Sequence, residues 1–154
     1  MIKKCNKVFL ENNFLSKNKC KELITFYNNS KSQNKFNTTF TLKLHLEEHS
    51  SLIKKLNKRS LELNNSVVDY INLVKWPCPN LGKDLHFDTA HKRTNLSSII
   101  YLNDNYLGGN TFFKDGTSFS SVTGRAIFFD GKYFKHGVSN IINNDRYTLA
   151  IWFK

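Results

Sequence analysis

Cysteine, acidic residues and long apolar runs are scarce in this chain, and each scarcity narrows the possible classes of protein. The three cysteines, Cys5, Cys20 and Cys78, form no C-x-x-C pair, which indicates reduced thiols in a reducing compartment. No apolar run approaches the length that spans a bilayer. The basic residues 1–4 are not followed by the apolar segment of a signal peptide. We therefore expect a cytoplasmic protein with no membrane segment.

The shortage of acidic residues leaves a formal net charge of +11 at pH 7, from 23 Lys+Arg and 12 Asp+Glu. Such a surplus can indicate nucleic-acid binding. Most of it lies in residues 1–66, which carry 13 Lys+Arg against 5 Asp+Glu. It is also nearly all lysine, whereas base recognition relies on bidentate arginine. We interpret the surplus as the lysine-rich composition of an AT-rich genome rather than as a phosphate-binding face.

The remaining composition is that of a globular protein, with 40% hydrophobic and 14% aromatic residues. At 154 residues the chain is expected to form a single domain, residues 1–154, with a sizeable core. No internal repeat or inter-domain linker is visible. Within this domain we expect residues 1–66 to provide a helical support and an edge strand. Residues 67–154 are expected to form the catalytic β core.

The first 66 residues alternate between helical and strand patterns. Ser16 is the predicted N-cap of an amphipathic helix whose apolar positions in residues 20–27 follow helical spacing. Residues 40–46 alternate strictly between apolar and polar, which predicts a half-buried strand. A second helix follows, with Ser50 or Ser51 as its predicted cap.

From residue 67 onward the pattern changes to short strands separated by turn signals. Eight strands at close, regular spacing are typical of a jelly roll or barrel. The predicted strands are residues 67–76, 85–88, 95–102, 110–113, 118–122, 125–130, 133–138 and 146–153. The sequence thus predicts a mainly β fold, with two helices packed outside one face of the core.

His86 and Asp88 are two residues apart on a predicted strand, so their side chains would point to the same face. His136, on a later strand, would complete a face of two histidines and one carboxylate, which suits a non-heme Fe(II) oxygenase. Taken alone, the His86–Asp88 pair would favour a solvated strand face, and it is the addition of His136 and Arg146 that favours a metal site. Arg146 faces into the predicted core, where an arginine requires an anionic partner. His91 is expected at the rim of the site.

A run of further landmarks accompanies these residues through the predicted β core. They are, in order, His86-Phe87-Asp88, Tyr101-Leu102-Asn103, Gly108-Gly109-Asn110-Thr111-Phe112, Gly124-Arg125-Ala126-Ile127-Phe128-Phe129, His136-Gly137-Val138, Asp145-Arg146-Tyr147 and Trp152-Phe153. This run resembles the 2-oxoglutarate- and Fe(II)-dependent dioxygenases, specifically their prolyl 4-hydroxylase-like branch. The resemblance implies a double-stranded β-helix core, the jelly roll of cupin-like proteins. It also implies Fe(II) as cofactor, 2-oxoglutarate and O2 as co-substrates, and ascorbate as an accessory reductant.

The resemblance also implies roles for particular residues. His86, Asp88 and His136 would be the iron ligands and the catalytic centre. Arg146 would pair with the distal carboxylate of 2-oxoglutarate, because its planar guanidinium matches a carboxylate. Tyr101 matches the family tyrosine that hydrogen-bonds the same carboxylate, although a core aromatic is the alternative interpretation. A hydroxyl for this carboxylate could also come from Thr148, which shares a strand face with Arg146.

The substrate is less closely specified than the iron site. Trp76 stands where relatives often have a tyrosine lining the pocket, and we expect Trp76 and Trp152 to contact the substrate. The branch implies a prolyl residue in a peptide or protein as the substrate. A prolyl segment is already extended and low in conformational entropy, so a short open groove can hold it. Three alternatives remain: a methylated nucleic acid, a free amino acid, or a metal-free cupin-like binding module.

A second histidine motif lies outside the predicted β core. Residues 45–49 read H-x-x-E-H, the inverted zinc-protease motif. That chemistry requires both histidines on one face of a helix. The alternating pattern of residues 40–46 instead places His45 in a strand, so we do not expect a zinc site here.

Overall fold

The computed structural model describes residues 6–89 and 92–154. Cys5, His91 and the basic residues 1–4 discussed above lie outside the described residues. The helices are α1 (Lys17–Asn29) and α2 (Ser50–Asn64), and a short 3-10 helix (Leu46–His49) precedes α2. The strands are β1 (Phe9–Glu11), β2 (Asn34–Phe36), β3 (Thr39–Lys43), β4 (Val68–Trp76), β5 (Lys83–His86), β6 (Leu96–Tyr101), β7 (Leu107–Gly108), β8 (Thr111–Phe113), β9 (Ser118–Phe119), β10 (Ala126–Phe129), β11 (His136–Val138), β12 (Ile141–Ile142) and β13 (Arg146–Phe153).

The strands form a large sheet and two smaller ones. The large sheet has seven strands in the order β1-β10-β6-β13-β4-β3-β2. The second has four strands in the order β5-β11-β8-β9, and β12 pairs with β7. Every one of these pairings is antiparallel. The predicted mainly β jelly-roll fold with two helices is therefore confirmed.

The alternation of side chains along β13 divides the interior into two regions. Leu149 and Ile151 belong to the main core, which also includes Leu23 of α1 and Leu56 of α2. This face of the large sheet is therefore covered by the helices. Arg146 and Thr148 point to the opposite face, since successive strand residues alternate. On that face smaller aromatic clusters join residues of the large and four-stranded sheets, as Ile127 and Phe113 do.

The helix caps agree with the sequence pattern in one helix and differ in the other. Ser16 caps α1 as predicted, and its Oγ accepts a hydrogen bond from the Lys19 backbone N–H at 3.1 Å. The prediction that Ser50 or Ser51 caps α2 is wrong. His49 occupies the cap position without a side-chain hydrogen bond, because the preceding 3-10 helix already leads the chain into α2.

The predicted strands of the β core are present, with some changes in their bounds. The last strand spans Arg146–Phe153 as predicted. The strand predicted over residues 85–88 is shifted: β5 spans Lys83–His86, and the prediction that Asp88 lies in it is wrong. The short strands β2, β7 and β12 were not predicted.

Neither helix of the described chain combines the length and apolar character needed to cross a membrane.

Candidate metal centre

The two histidines are brought together by the pairing of β5 with β11. His86 and His136 are direct partners in this antiparallel ladder. Directly opposed residues project to the same face of a sheet, and the two imidazole rings lie with centroids 4.4 Å apart. The structure therefore brings His86 and His136 together, as the sequence predicted.

Asp88 reaches the histidines from the turn after β5, not from the strand itself. Its backbone N–H donates to the Gly131 carbonyl at 2.8 Å. Ser97 Oγ donates to Asp88 Oδ2 at 2.7 Å, which leaves Oδ1 facing the imidazoles. The distances from Oδ1 are 3.3 Å to His136 Nε2 and 3.8 Å to His86 Nε2.

These three side chains form the candidate metal site. One ligand atom from each lies within 4.8 Å of the others, and no other such cluster occurs within residues 6–89 and 92–154. The H-x-x-E-H residues His45 and His49 are therefore not part of a metal cluster in the described chain. His45 also precedes the 3-10 helix rather than lying in a strand.

Hydrogen bonds to backbone carbonyls set the tautomer of both histidines. His86 Nδ1 lies 2.9 Å from the Asp84 carbonyl, and His136 Nδ1 lies 2.9 Å from the Phe134 carbonyl. A carbonyl only accepts, so each Nδ1 must carry the proton, and each Nε2 lone pair is left for a metal. Burial lowers the pKa of His86, which favours the neutral imidazole that binds metal ions.

The carboxylate is held in its charged form. Burial alone would raise the pKa of Asp88, but the nearby His136 imidazole and the hydrogen bond from Ser97 outweigh it, so the pKa lies below its usual value. Two imidazole nitrogens and one ionised carboxylate oxygen are the donor set of an open non-heme Fe(II) site. Side-chain exposure falls from 26% at His86 to 6% at His136, so the site opens on the His86 side.

Gly131 keeps space for the carboxylate. A Cβ at this position would overlap the Asp88 carboxylate and lie 2.6 Å from Ser97 Oγ. Gly131→Ala is therefore expected to displace Asp88 and to weaken metal binding by about 10- to 100-fold, the usual effect of disturbing the residues that orient metal ligands. Equilibrium dialysis against Mn(II) measures this loss.

The matched control for Gly131→Ala is Gly116→Ala. A Cβ at Gly116 would meet no atom within 4 Å, although its φ of +91° makes alanine strained there. The control is expected to lower the stability while leaving the metal affinity unchanged. Equal metal affinity in the two variants would show that Gly131 does not define the position of Asp88.

Arg146 lies on the face of β13 that points between the sheets. It is 1% exposed, and its Nε donates to the Gly109 carbonyl at 3.0 Å. No carboxylate within the described ranges forms an ion pair with it, and its Nη2 has no hydrogen-bond partner. A buried, unpaired cation is costly. This orphaned donor fits the carboxylate of an acidic co-substrate.

Neighbouring polar groups fix the backbone on both sides of Arg146. Asn103 Nδ2 donates to the Asp145 carbonyl at 2.8 Å, and Asn103 Oδ1 accepts from the Tyr147 N–H at 2.8 Å. Asp145 also accepts from the Cys78 N–H at 2.8 Å and pairs with Lys75 at 3.2 Å. The start of β13 is therefore tied to the end of β4 and to the loop after β6.

The other predicted site residues lie at different distances from Arg146. Thr148 is buried and faces the same way, and its Cα partners are Val74 and Tyr101. Trp76 is the direct partner of Arg146, whose Cζ lies 5.1 Å from the centre of the indole ring. Trp152 is six residues further along β13, about 20 Å away at strand spacing. It packs on Tyr70, so the structure does not bring Trp152 to the cluster.

Two supporting residues were missed by sequence reasoning. Ser97 and Gly131 both act on Asp88, but each comes from a different strand or turn of the fold. The sequence shows only that Ser97 lies in a predicted strand and that Gly131 lies in a turn. Neither position indicates contact with Asp88 until β6 and β10 are known to be neighbours.

The fold and site together define a jelly-roll protein with an open two-histidine, one-carboxylate metal centre and a buried arginine. Residues 79–154 match the family model of the 2OG-Fe(II) oxygenase superfamily. The matched segment belongs to this superfamily, so Fe(II) is the cofactor and 2-oxoglutarate and O2 are the co-substrates. A search of curated proteins gave no match.

Solved structures share the fold across almost the whole chain. A viral collagen prolyl hydroxylase from Paramecium bursaria Chlorella virus-1, solved as a 2OG complex, is 18% identical with a TM-score of 0.75, covering 97% of both chains. A prolyl-4-hydroxylase from Pseudomonas putida is 17% identical with a TM-score of 0.71, covering 96% of this chain and 91% of its own. A Trichoplax adhaerens prolyl hydroxylase, in complex with a hypoxia-inducible factor peptide, is 18% identical with a TM-score of 0.73, covering 96% and 83%.

Proposed function

We propose that this protein hydroxylates a prolyl residue in a peptide or protein. The observation that carries the proposal is the likeness in fold, along 97% of both chains, to a viral collagen prolyl hydroxylase. The Pseudomonas putida and Trichoplax adhaerens structures, both prolyl hydroxylases, support the same substrate class.

In this proposal the residues of the site have distinct tasks. His86, Asp88 and His136 hold Fe(II), with Nε2 of each imidazole free because Nδ1 is bound to a carbonyl. Arg146 binds the distal carboxylate of 2-oxoglutarate, with its Nε held by Gly109. When bound, the iron couples oxidative decarboxylation of 2-oxoglutarate by O2, which yields succinate and CO2, to insertion of one oxygen atom into a C–H bond.

The metal site is covered by apolar side chains on one side and is exposed on the other. His136 packs against the Phe129 ring, with centroids 4.6 Å apart, so the inner side of the site is apolar. On the outer side, the His86 side chain is 26% exposed, which leaves a path for a substrate to reach the metal centre.

The test is turnover on peptides with and without proline. Enzyme, Fe(II), 2-oxoglutarate and ascorbate are incubated with proline-containing peptides and with the same peptides carrying alanine in place of proline. We expect a mass gain of one oxygen atom on proline, together with one succinate for each hydroxylation. Fragment mass spectra identify the modified residue.

The same assay separates the alternative substrates. Methylated oligonucleotides and free amino acids are tested beside the peptides, and His136→Ala serves as the inactive control. Turnover on an oligonucleotide or a free amino acid, with none on any prolyl peptide, would refute the prolyl substrate and leave the oxygenase assignment intact.

A further inference from the structure

The indole of Trp76 is an unexplained buried donor. Its Nε1 is buried without a hydrogen-bond partner, and so is Nη2 of Arg146. An indole N–H and a guanidinium can only donate, so neither group can satisfy the other. A buried donor without a partner costs free energy, and here two such donors are in contact. This arrangement indicates that an acceptor binds next to them.

The geometry directs both donors to one place. Trp76 and Arg146 are direct partners on the antiparallel strands β4 and β13, so their side chains share a face of the sheet. The guanidinium carbon lies 5.1 Å from the centre of the Trp76 ring. The stacking fixes the position of the guanidinium relative to the indole. The two unpaired donors therefore belong to side chains in direct contact on one face of the sheet.

The hydroxyl of Tyr101 is already used within the protein. It accepts a hydrogen bond from the Thr111 backbone N–H at 3.1 Å and lies 2.6 Å from Thr111 Oγ1. It also donates to the Phe119 carbonyl at 3.2 Å. A phenol has a single proton to donate. Tyr101 can donate to a carboxylate only by giving up its bond to the Phe119 carbonyl of β9.

We infer that the indole N–H of Trp76 is the second donor to the distal carboxylate of 2-oxoglutarate, beside Arg146. The inference rests on the proposed role of Arg146. It assigns Trp76 to the co-substrate rather than to the prolyl substrate. Because both groups donate and neither accepts, this end of the site selects an ionised carboxylate and disfavours an amide or an alcohol in its place.

Binding of 2-oxoglutarate without turnover tests the inference. Calorimetric titration of the Mn(II)-loaded protein gives the dissociation constant of 2-oxoglutarate. Trp76→Phe keeps an aromatic ring under Arg146 but removes the N–H, and is expected to weaken binding by about tenfold or more, as for a hydrogen bond to a charged group. Trp152→Phe is the matched control, expected to bind as wild type does. Trp76→Tyr restores a donor and is expected to recover part of the loss.

A second measurement uses Trp76 itself and does not depend on the folding of its variants. The chain has 2 tryptophans, so the Trp152→Phe protein reports only on Trp76. Its fluorescence is expected to change on titration with 2-oxoglutarate, with the midpoint that calorimetry gives. A fluorescence signal that stays constant while calorimetry detects binding would overturn the inference.

Two other outcomes would also overturn it. One is Trp76→Phe binding 2-oxoglutarate as tightly as Trp152→Phe while its KM for the peptide rises. The other is a loss of affinity in Tyr101→Phe but not in Trp76→Phe. If the wild-type protein itself bound no 2-oxoglutarate, the role of Arg146 would fail as well. If the wild-type protein binds 2-oxoglutarate and only the results expected for Trp76 fail, the inference is wrong but the proposed function stands.

Discussion

The His136→Ala protein is expected to remain folded but to lose Fe(II)-dependent succinate formation down to background. Three protein ligands leave no redundancy for an open iron site. His136 is the most buried of the three and contacts both the His86 and the Phe129 rings. His86→Ala and Asp88→Ala are expected to have the same effect. Succinate formation and Mn(II) binding are measured on each purified variant.

The control for these variants is His45→Ala, which removes an exposed histidine outside the metal cluster. It is expected to keep wild-type metal binding and turnover. Far-ultraviolet circular dichroism checks that each variant is folded. Wild-type succinate formation in His86→Ala, Asp88→Ala or His136→Ala would remove that residue from the set of ligands.

Arg146→Ala is expected to raise the KM for 2-oxoglutarate strongly. Removing one partner of a buried charged pair costs about 3–5 kcal/mol, which corresponds to a loss of affinity of roughly 100-fold or more. Arg146→Lys should be milder but still impaired, because an ammonium cannot both donate to the Gly109 carbonyl and present a planar fork to the ligand. Initial rates at varied 2-oxoglutarate give the KM of each variant.

Arg93→Ala is the matched control, since the Arg93 side chain is 73% exposed and pairs only loosely with Asp69 at 3.6 Å. Its KM for 2-oxoglutarate is expected to equal that of wild type. If Arg146→Ala also bound 2-oxoglutarate as wild type does, the carboxylate anchor would have to be another residue.

The residue types of the site were predictable from the sequence, but the strands and hydrogen bonds that position them were not. The prediction placed His86 and Asp88 on one strand with a shared face. The strand in fact ends at His86, and Asp88 is positioned by backbone and side-chain bonds from Gly131 and Ser97. A motif reports which residues converge, whereas these bonds depend on strand pairing between distant segments.

Strand alternation correctly placed Arg146 on an inward face, because the apolar pattern of β13 is regular along its whole length. Trp152 has the same parity as Arg146 and was expected to contact the substrate, yet the two residues lie at opposite ends of the strand. Alternation reports the face of a sheet and not the position along it. The strands β7 and β12 were missed because two residues are too few to show any period.

The unpaired guanidinium of Arg146 also links the folding equilibrium to metabolism. A ligand that binds only the native state adds stability by mass action, about 2.7 kcal/mol at a concentration one hundred times its dissociation constant. That gain is a large share of the 5–15 kcal/mol by which a typical domain is stable. Without the anion, the native state retains an uncompensated charge in its interior. We therefore expect the fraction of molecules open to proteolysis to rise as 2-oxoglutarate is depleted.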